Sequence, residues 1–306
     1  FVLSSFFMGL FLPKPDVIFT ESPPLFLGLA SYWLSRIKKA SWIFNVADLW
    51  PASVVELGII RQGSITHKVS SSLESFFYRK ATLVTGQSKT ILNNIQTRFP
   101  NVRTYHLSNG VDPTPYLVEP KIKSRKITVM YTGLHGLAQG LDQILEAAKL
   151  LKQDHPEIEF KFFGDGPQKL QLINVAQEMT LENVKFLDPV QKTEIPALLA
   201  TADMLIVPLK IQLTGAVPSK LYEGMAAAKP IVLIAGSEAA EIVRDADCGM
   251  VIAPGDTSDL TSAIVQLAGD RKERIRMGQN GRRVVIEKYD RRQIAKSFSQ
   301  FLFTIK

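Results

Sequence analysis

Residues 218–235 read Pro-Ser-Lys-Leu-Tyr-Glu-Gly-Met-Ala-Ala-Ala-Lys-Pro-Ile-Val-Leu-Ile-Ala. Lys220 and Glu223 stand three apart at the start of a small-residue helix, and an apolar strand over 231–235 follows at once. The layout sets one cation, the Ser219 hydroxyl and several unbonded backbone amides at a single helix N-terminus. Such a terminus attracts anions through its free N–H groups and its dipole. A phosphate-bearing sugar nucleotide is a ligand that needs all three. The competing reading is an ordinary α/β helix whose first-turn glutamate complements the dipole, worth about 0.3–1 kcal/mol.

Outward from this stretch, short apolar runs alternate with helical patterns in both directions, the rhythm of a mostly parallel α/β sheet. Toward the N-terminus the pattern predicts strands over 16–20, 42–47, 82–85 and 104–107, with helices over 25–37, 65–80 and 89–98. Asn109-Gly110-Val111-Asp112-Pro113 marks a turn, and the polar, basic stretch 119–126 reads as a linker. The rhythm then restarts, with strands over 127–131, 159–163, 184–187, 204–207, 231–235 and 250–252. Helices are expected over 141–153, 168–179, 192–201, 238–244, 258–268, 271–288 and 291–303. A Rossmann-type half has about six strands; four are visible before the linker.

The bulk numbers fit this picture. A chain of 306 residues suggests two domains, at roughly 150 residues each. Hydrophobic content of 46% with 21% charged residues is ordinary for a globular protein. The single Cys248 excludes a disulfide framework within the chain and fits a reducing cytoplasm. The net charge of +7 suits anionic membrane, nucleic acid or phosphorylated substrates. Nucleic acid is the least favoured of these, because no basic stripe is interleaved with aromatics. The opening run from Phe1 to Leu12 stops at Pro13-Lys14-Pro15-Asp16, short of the about 20 apolar residues of a membrane span. It also lacks the basic leader of a signal peptide. The expectation is a buried helix feeding the strand over 16–20, in a chain that begins inside a domain.

Four further stretches have chemistry at strand ends. In Tyr131-Thr132-Gly133-Leu134-His135-Gly136-Leu137-Ala138-Gln139-Gly140, three glycines let backbone approach a pyrophosphate closely, although the spacing is not that of a dinucleotide fingerprint. His135 is placed to hydrogen-bond a sugar or phosphate, or to be a loop histidine without a role. Gly164-Asp165-Gly166-Pro167 opens a helix and is good capping chemistry by itself. Asp188-Pro189-Val190 follows the strand over 184–187. Asn45-Val46-Ala47-Asp48-Leu49-Trp50-Pro51 sets a carboxylate and an indole where α/β sites collect, with a helix cap and a core tryptophan as the alternative. Asp245-Ala246-Asp247 only links a helix to a strand, and the charged run 271–276 reads as a solvated helix face. His67, His106, His135 and His155 lack metal spacing, and no metal or other cofactor is expected.

Together these stretches resemble the retaining glycosyltransferases of the GT-B fold, within glycosyltransferase family 4. They are most similar to a bacterial branch that builds surface polysaccharides, which carries S-P-P, D-L-W-P, P-S-K-x-x-E and M-A-A-G-K-P. Ser22-Pro23-Pro24, Asp48-Leu49-Trp50-Pro51 and residues 218–230 match these, with Ala228 in place of the glycine. Met277-Gly278-Gln279-Asn280-Gly281-Arg282 belongs to the same pattern.

The resemblance implies two Rossmann-like doubly wound parallel sheets facing a cleft. The domains would be 1–118, partial and acceptor-side, and 119–290, nucleotide-sugar-binding, with a helix over 291–306 crossing back to the first. It also implies transfer of a sugar, expected to be N-acetylated, from a UDP-sugar to a glycan or polyprenyl-linked acceptor. The location would be cytoplasmic, in peripheral contact with an anionic membrane and with no nucleic acid.

Carried over by residue, Glu223 would bind ribose and Lys220 would stabilise the departing diphosphate. Asp48 would orient the acceptor and Trp50 would stack on a sugar. Gly133, His135, Gln139, Gly164, Asp165, Gly166, Val190 and Ser219 would line the donor. The sequence departs from the family where Leu134 and Gln139 replace an arginine and a lysine of the phosphate loop. It departs again at Gly215, where the first glutamate of E-x7-E would stand. Two other functions stay open: a nucleotide-sugar epimerase on the same fold, and a nucleotide-holding subunit without catalysis.

Overall fold

The computed structural model describes residues 1–116, 126–211 and 213–304. The predicted linker therefore lies outside the described residues except for Lys126. The chain divides into two compact units, one of Phe1–Ser108 with Leu213–Val217, the other of Asn109–Gln212 with Pro218–Lys306. The stretch 109–116 is thus part of the second unit. Val111 bridges Asp290 there and accepts from the Arg291 N–H at 3.0 Å.

The first unit runs α1 (Val2–Phe11), β1 (Val17–Ser22), α2 (Leu27–Lys38), β2 (Ser41–Val46) and α3 (Ala52–Glu56), then α4 (Ile65–Lys80), β3 (Leu83–Gly86), α5 (Lys89–Arg98) and β4 (Thr104–His106). Its strands lie in the order β1-β2-β3-β4, all parallel. Helices α4 and α5 begin where the pattern predicts because Ser64 and Ser88 cap them, accepting from the His67 and Ile91 amides. Trp42, Phe44, Phe77 and Tyr78 fill the core beneath the sheet, and the Trp42 indole N–H donates to Thr20 Oγ1 at 3.0 Å. Glu74 is buried but satisfied, accepting from the Tyr78 hydroxyl and pairing with Arg98.

Helix α1 forms as expected but is not buried: none of its residues is enclosed, and Phe1, Leu3, Phe7, Met8, Phe11 and Leu12 are exposed. Its contact is one-sided, with Gly9 set against Leu34 of α2. Lys38 holds its end by donating to the carbonyls of Leu10 and Leu12. An unforeseen part of this unit is 213–217. There the Thr214 amide and hydroxyl donate to the Glu56 carboxylate at 3.0 and 2.6 Å, and Gly215 lies against Ile91 and Ser88.

The second unit continues with β5 (Ile127–Thr132), α6 (Asp142–Leu151), β6 (Ile158–Phe163), α7 (Lys169–Glu178), β7 (Val184–Leu187) and α8 (Ile195–Ala200). It goes on through β8 (Met204–Pro208), α9 (Ser219–Ala226), β9 (Ile231–Ile234), α10 (Ser237–Asp245) and β10 (Gly249–Ile252). Three helices end it, α11 (Thr257–Gly269), α12 (Arg271–Lys288) and α13 (Arg291–Leu302). The order is β10-β9-β8-β5-β6-β7, all parallel. The chain starts at β5 in the middle, winds outward to β7, then returns to β8 on the other side. That reversal between β5 and β8 is a topological switch point, where ligands collect beyond the carboxyl ends of open α/β sheets.

The 218–230 stretch closes its helix with a Schellman motif. The Lys229 N–H donates to Gly224 O at 3.3 Å and the Ala228 N–H to Met225 O at 3.1 Å. Ala228 takes φ +53°, the left-handed region that glycine fills without a Cβ penalty. The Met277–Arg282 motif serves packing here. A Cβ on Gly278 would stand 2.0 Å from Ala228 O, and the Arg282 guanidinium donates to Ala226 O. The run 271–276 is not wholly solvated, since Arg274 is buried and donates to the carbonyls of Leu267 and Ala268. The guanidinium is held there because it caps the end of α11.

Candidate functional site

The loops after β5 and β6 are held against each other by backbone. The Gly133 N–H donates to Phe163 O at 2.8 Å, the His135 N–H to Asp165 O at 2.8 Å, and the Gly164 N–H to Leu187 O at 3.3 Å. The approach is close enough to exclude side chains. A Cβ on Gly164 would lie 1.8 Å from Gly133 O, and one on Gly133 would lie 2.1 Å from Lys220 Cε. Both glycines have positive φ, +142° and +147°.

Beyond these loops opens a cavity of about 270 Å³ lined by Thr132, Gly133, Leu134, Phe163, Gly164, Asp165, Pro189, Val190, Ile195 and Lys220. It lies at the switch point, because Gly133 follows β5 and Lys220 follows β8. Lys220 is the second residue of α9, whose N-cap, Pro218, provides no side-chain cap. The ammonium and the helix terminus therefore act in the same place. Among the described residues Asp165 is the one carboxylate of the lining; its Oδ1 accepts from the Gly166 N–H at 2.8 Å. The rest of the lining is largely apolar.

Of the residues singled out in the sequence, Gly133, Gly164, Asp165, Val190 and Lys220 meet at this cavity. Ser219 precedes Lys220 on α9, and Gly166 adjoins Asp165. Glu223 lies one turn along α9, half-buried and off the cavity wall. Its charge reaches Tyr116, whose phenol is pushed up to about 12, first by burial and then by Glu223.

His135 does not reach the cavity. Its ring is fully enclosed, and both ring nitrogens lack a partner. Gln139 also stays off the wall, in a 3-10 turn over Leu137–Gln139 with its Oε1 buried and unpartnered. For His135 the reason is its own amide, whose bond to Asp165 O turns the ring inward against Phe162 of β6. Phe163 and Ile195 were not singled out in the sequence, because apolar residues after strands give no signal of their own, and Leu134 and Pro189 were named there without a role in the lining.

In the first unit, Asp48 follows β2 next to Glu21 of β1, whose Cα is paired with Asn45. Burial, then the Glu21 carboxylate, pushes the Asp48 carboxyl up to about 6. Trp50 is half-buried and its indole N–H has no partner. Glu21 carried no motif and was not singled out; only the register brings it to Asp48. Among the described residues, no three His, Cys, Asp or Glu side chains gather as a possible metal site. Asp247 instead pairs with Arg276. Among the same residues no helix is long and apolar enough to cross a membrane.

Residues 116–284 match the family described as Glycosyl transferases group 1. The chain is similar to the probable glycosyltransferase WbjE of Pseudomonas aeruginosa, 26% identical over 269 residues, covering 83% of this chain and 66% of that protein. It is also similar to a putative colanic acid biosynthesis glycosyl transferase, WcaI of Escherichia coli, 27% identical over 253 residues, covering 77% of this chain and 61% of that protein. The chain thus spans 66% or less of either relative. The structure of Anabaena HepE in complex with UDP and glucose superposes with a TM-score of 0.79 at 20% identity, covering 98% of this chain and 80% of that one. The α/β architecture of two parallel sheets is therefore that of the GT-B glycosyltransferases. With more than half of its length matched, the chain belongs to the family of group 1 glycosyl transferases.

Proposed function

We propose that the protein is a metal-independent, retaining glycosyltransferase of family 4 that moves a sugar, N-acetylated, from a UDP-sugar to a glycan or lipid-linked acceptor of a surface polysaccharide. The observation that carries this is the cavity at the β5–β8 switch point, with Lys220 crossing Gly133 at the bare N-terminus of α9. A diphosphate seated there meets one ammonium and the helix dipole. The apolar wall at Val190, Pro189 and Ile195 suits a base. Glu223, farther along α9, takes the ribose hydroxyls.

Catalysis in this arrangement is electrostatic. As the glycosidic bond to the donor breaks, negative charge grows on the diphosphate, and Lys220 with the α9 amides stabilises it where it forms. Asp48 of the first unit orients the acceptor and Trp50 stacks on its sugar. The UDP and glucose held in the Anabaena structure support a uridine nucleotide. The relative named for colanic acid biosynthesis supports the acceptor class.

The exposed apolar face of α1, followed by Lys14 and braced by Lys38, supports peripheral contact with an anionic membrane at its cytoplasmic side. Co-sedimentation with phosphatidylglycerol vesicles, absent with neutral vesicles, checks this; equal recovery with both would count against it.

The donor site is tested by calorimetric titration with UDP, GDP and ADP, repeated on Glu223→Ala. Selective binding of UDP, weakened at least about tenfold by the substitution, is expected, the loss of a charged hydrogen-bonding partner. A folded protein that binds none of the three would overturn the reading.

A further inference from the structure

His135 is a histidine in a place that suits an aromatic hydrocarbon. Its side chain is 0% exposed. The ring lies among Tyr131, Phe162 and Phe186, with centroids 5.9, 6.4 and 6.0 Å away, and the two phenylalanines stack on each other at 5.0 Å. Neither Nδ1 nor Nε2 has a hydrogen-bond partner. Leaving polar atoms so costs free energy, and a phenylalanine would provide the same bulk without that cost. What imidazole adds is a proton that it can take up near neutral pH.

The backbone of the same residue makes one of the ties between the two glycine loops. Its N–H donates to Asp165 O at 2.8 Å, and its carbonyl accepts from the Gln168 N–H at 2.9 Å. The neighbouring Leu134 O accepts from the Tyr131 hydroxyl at 2.6 Å. Four residues that line the cavity, Gly133, Leu134, Gly164 and Asp165, flank these ties.

We propose that His135 is a positioning residue of the donor site: its uncharged ring anchors the two loops in the nucleotide-holding arrangement, and protonation of the ring expels it from the aromatic box and loosens them. The inference rests on the donor-site reading above. The charges around the ring set the sense. From α7, Lys169 opposes protonation, and its ammonium is turned toward Asp188 Oδ1 at 3.2 Å. From the loop after β6, Asp165 favours it. The strands offer the two phenylalanine rings and the Tyr131 phenol, which is engaged with Leu134 O. Burial and Lys169 together hold the imidazole below its ordinary 6.5. A nucleotide that binds only the neutral-ring form keeps full affinity above the ring's pKa. Below it, affinity falls about tenfold per pH unit, until the bound form too takes up the proton.

The test is UDP titration of this protein at pH 7.5 and 5.0, read as the ratio of the two affinities within each variant. UDP's terminal phosphate also takes up a proton, near about pH 6, so His135→Phe measures that contribution with the box still filled. The expected ratio is larger in the wild type than in His135→Phe. A second measurement needs no variant beyond resonance assignment. With four histidines in the chain, the His135 Hε1 resonance can be followed by NMR, and its midpoint should drop further when UDP is bound, by reciprocity. Equal ratios in the two proteins, or a His135 midpoint that UDP leaves in place, would overturn the inference while leaving the donor site standing. No UDP binding at either pH by folded protein would overturn both.

Discussion

At the carboxyl ends of its strands the first unit gathers side chains, Glu21, Asn45, Asp48 and Gln87, whereas the second gathers backbone around one lysine. In the second unit Gly133 and Gly164 bring loop peptides into van der Waals contact, and the Lys220 ammonium lies above them. In the first, the Thr85 hydroxyl donates to Asn45 Oδ1 at 2.7 Å, and Gln87 donates to Ala47 O, leaving two carboxylates side by side. The difference teaches that one α/β plan supports two kinds of polar site. A backbone-lined anion site is set by close approach and a fixed charge. A carboxylate site is set by protonation, and so by pH.

Removing Lys220 cuts deepest into this contrast. Lys220→Ala is expected to lower turnover of the whole protein by about 10²–10³-fold, the loss of one group that meets developing charge. Its melting point should change far less than its turnover, since the half-buried side chain lies along the loop at Gly133 and not in the core. Steady-state kinetics beside a thermal melt check this; wild-type turnover would make the lysine scaffold and erase the contrast.

Asp48→Asn tests the other side. The folded value of about 6 lies above the ordinary 3.8, so the folded state holds the proton more tightly. Stability from this group is present below 3.8 and lost as pH rises through 6. The asparagine variant should therefore be more stable than wild type at pH 7.5, by about 1–2 kcal/mol after allowance for partial exposure. The gain should fade toward pH 4 (roughly the ordinary carboxylate value). Urea melts at the two pH values decide it, and a gain that is the same at both would remove the charge argument.

The smallest effect concerns the helix that carries Lys220. Ala228→Gly relieves a left-handed alanine at φ +53°, and should raise stability by about 0.5–1 kcal/mol once the flexibility of the unfolded chain is counted. A melting point that falls instead would show that the Ala228 methyl packs usefully.

Much of this was legible from residues alone, for stated reasons. The helix starts at Ile65 and Lys89 were readable from the pattern, and Ser64 and Ser88 fix them by accepting from the His67 and Ile91 amides. The apolar run at Ile231–Ile234 announces a buried parallel strand. Gly133, Gly164, Asp165, Val190 and Lys220 were readable as a group because each follows a strand, and parallel strands all deliver their ends to one edge. The inward turn of His135 and Gln139 was not readable. A loop's glycine spacing says that it bends, but not which residues face the protein. The exposure of α1 was hidden in the same way, since an apolar run looks alike whether it is enclosed or touches one neighbour.

The sequence by itself determined the alternation of strands and helices, the capped helix starts and the presence of a cation at the start of α9, because these depend on local pattern and backbone chemistry. Tertiary structure alone decided that β5 and β8 lie side by side, which sets Lys220 over Gly133, and that β1 and β2 pair in the register that brings Glu21 to Asp48. It also decided that His135 is enclosed in aromatic rings. Those outcomes depend on which distant segments share a sheet, and strand order is fixed by how the whole set of apolar faces is buried at once.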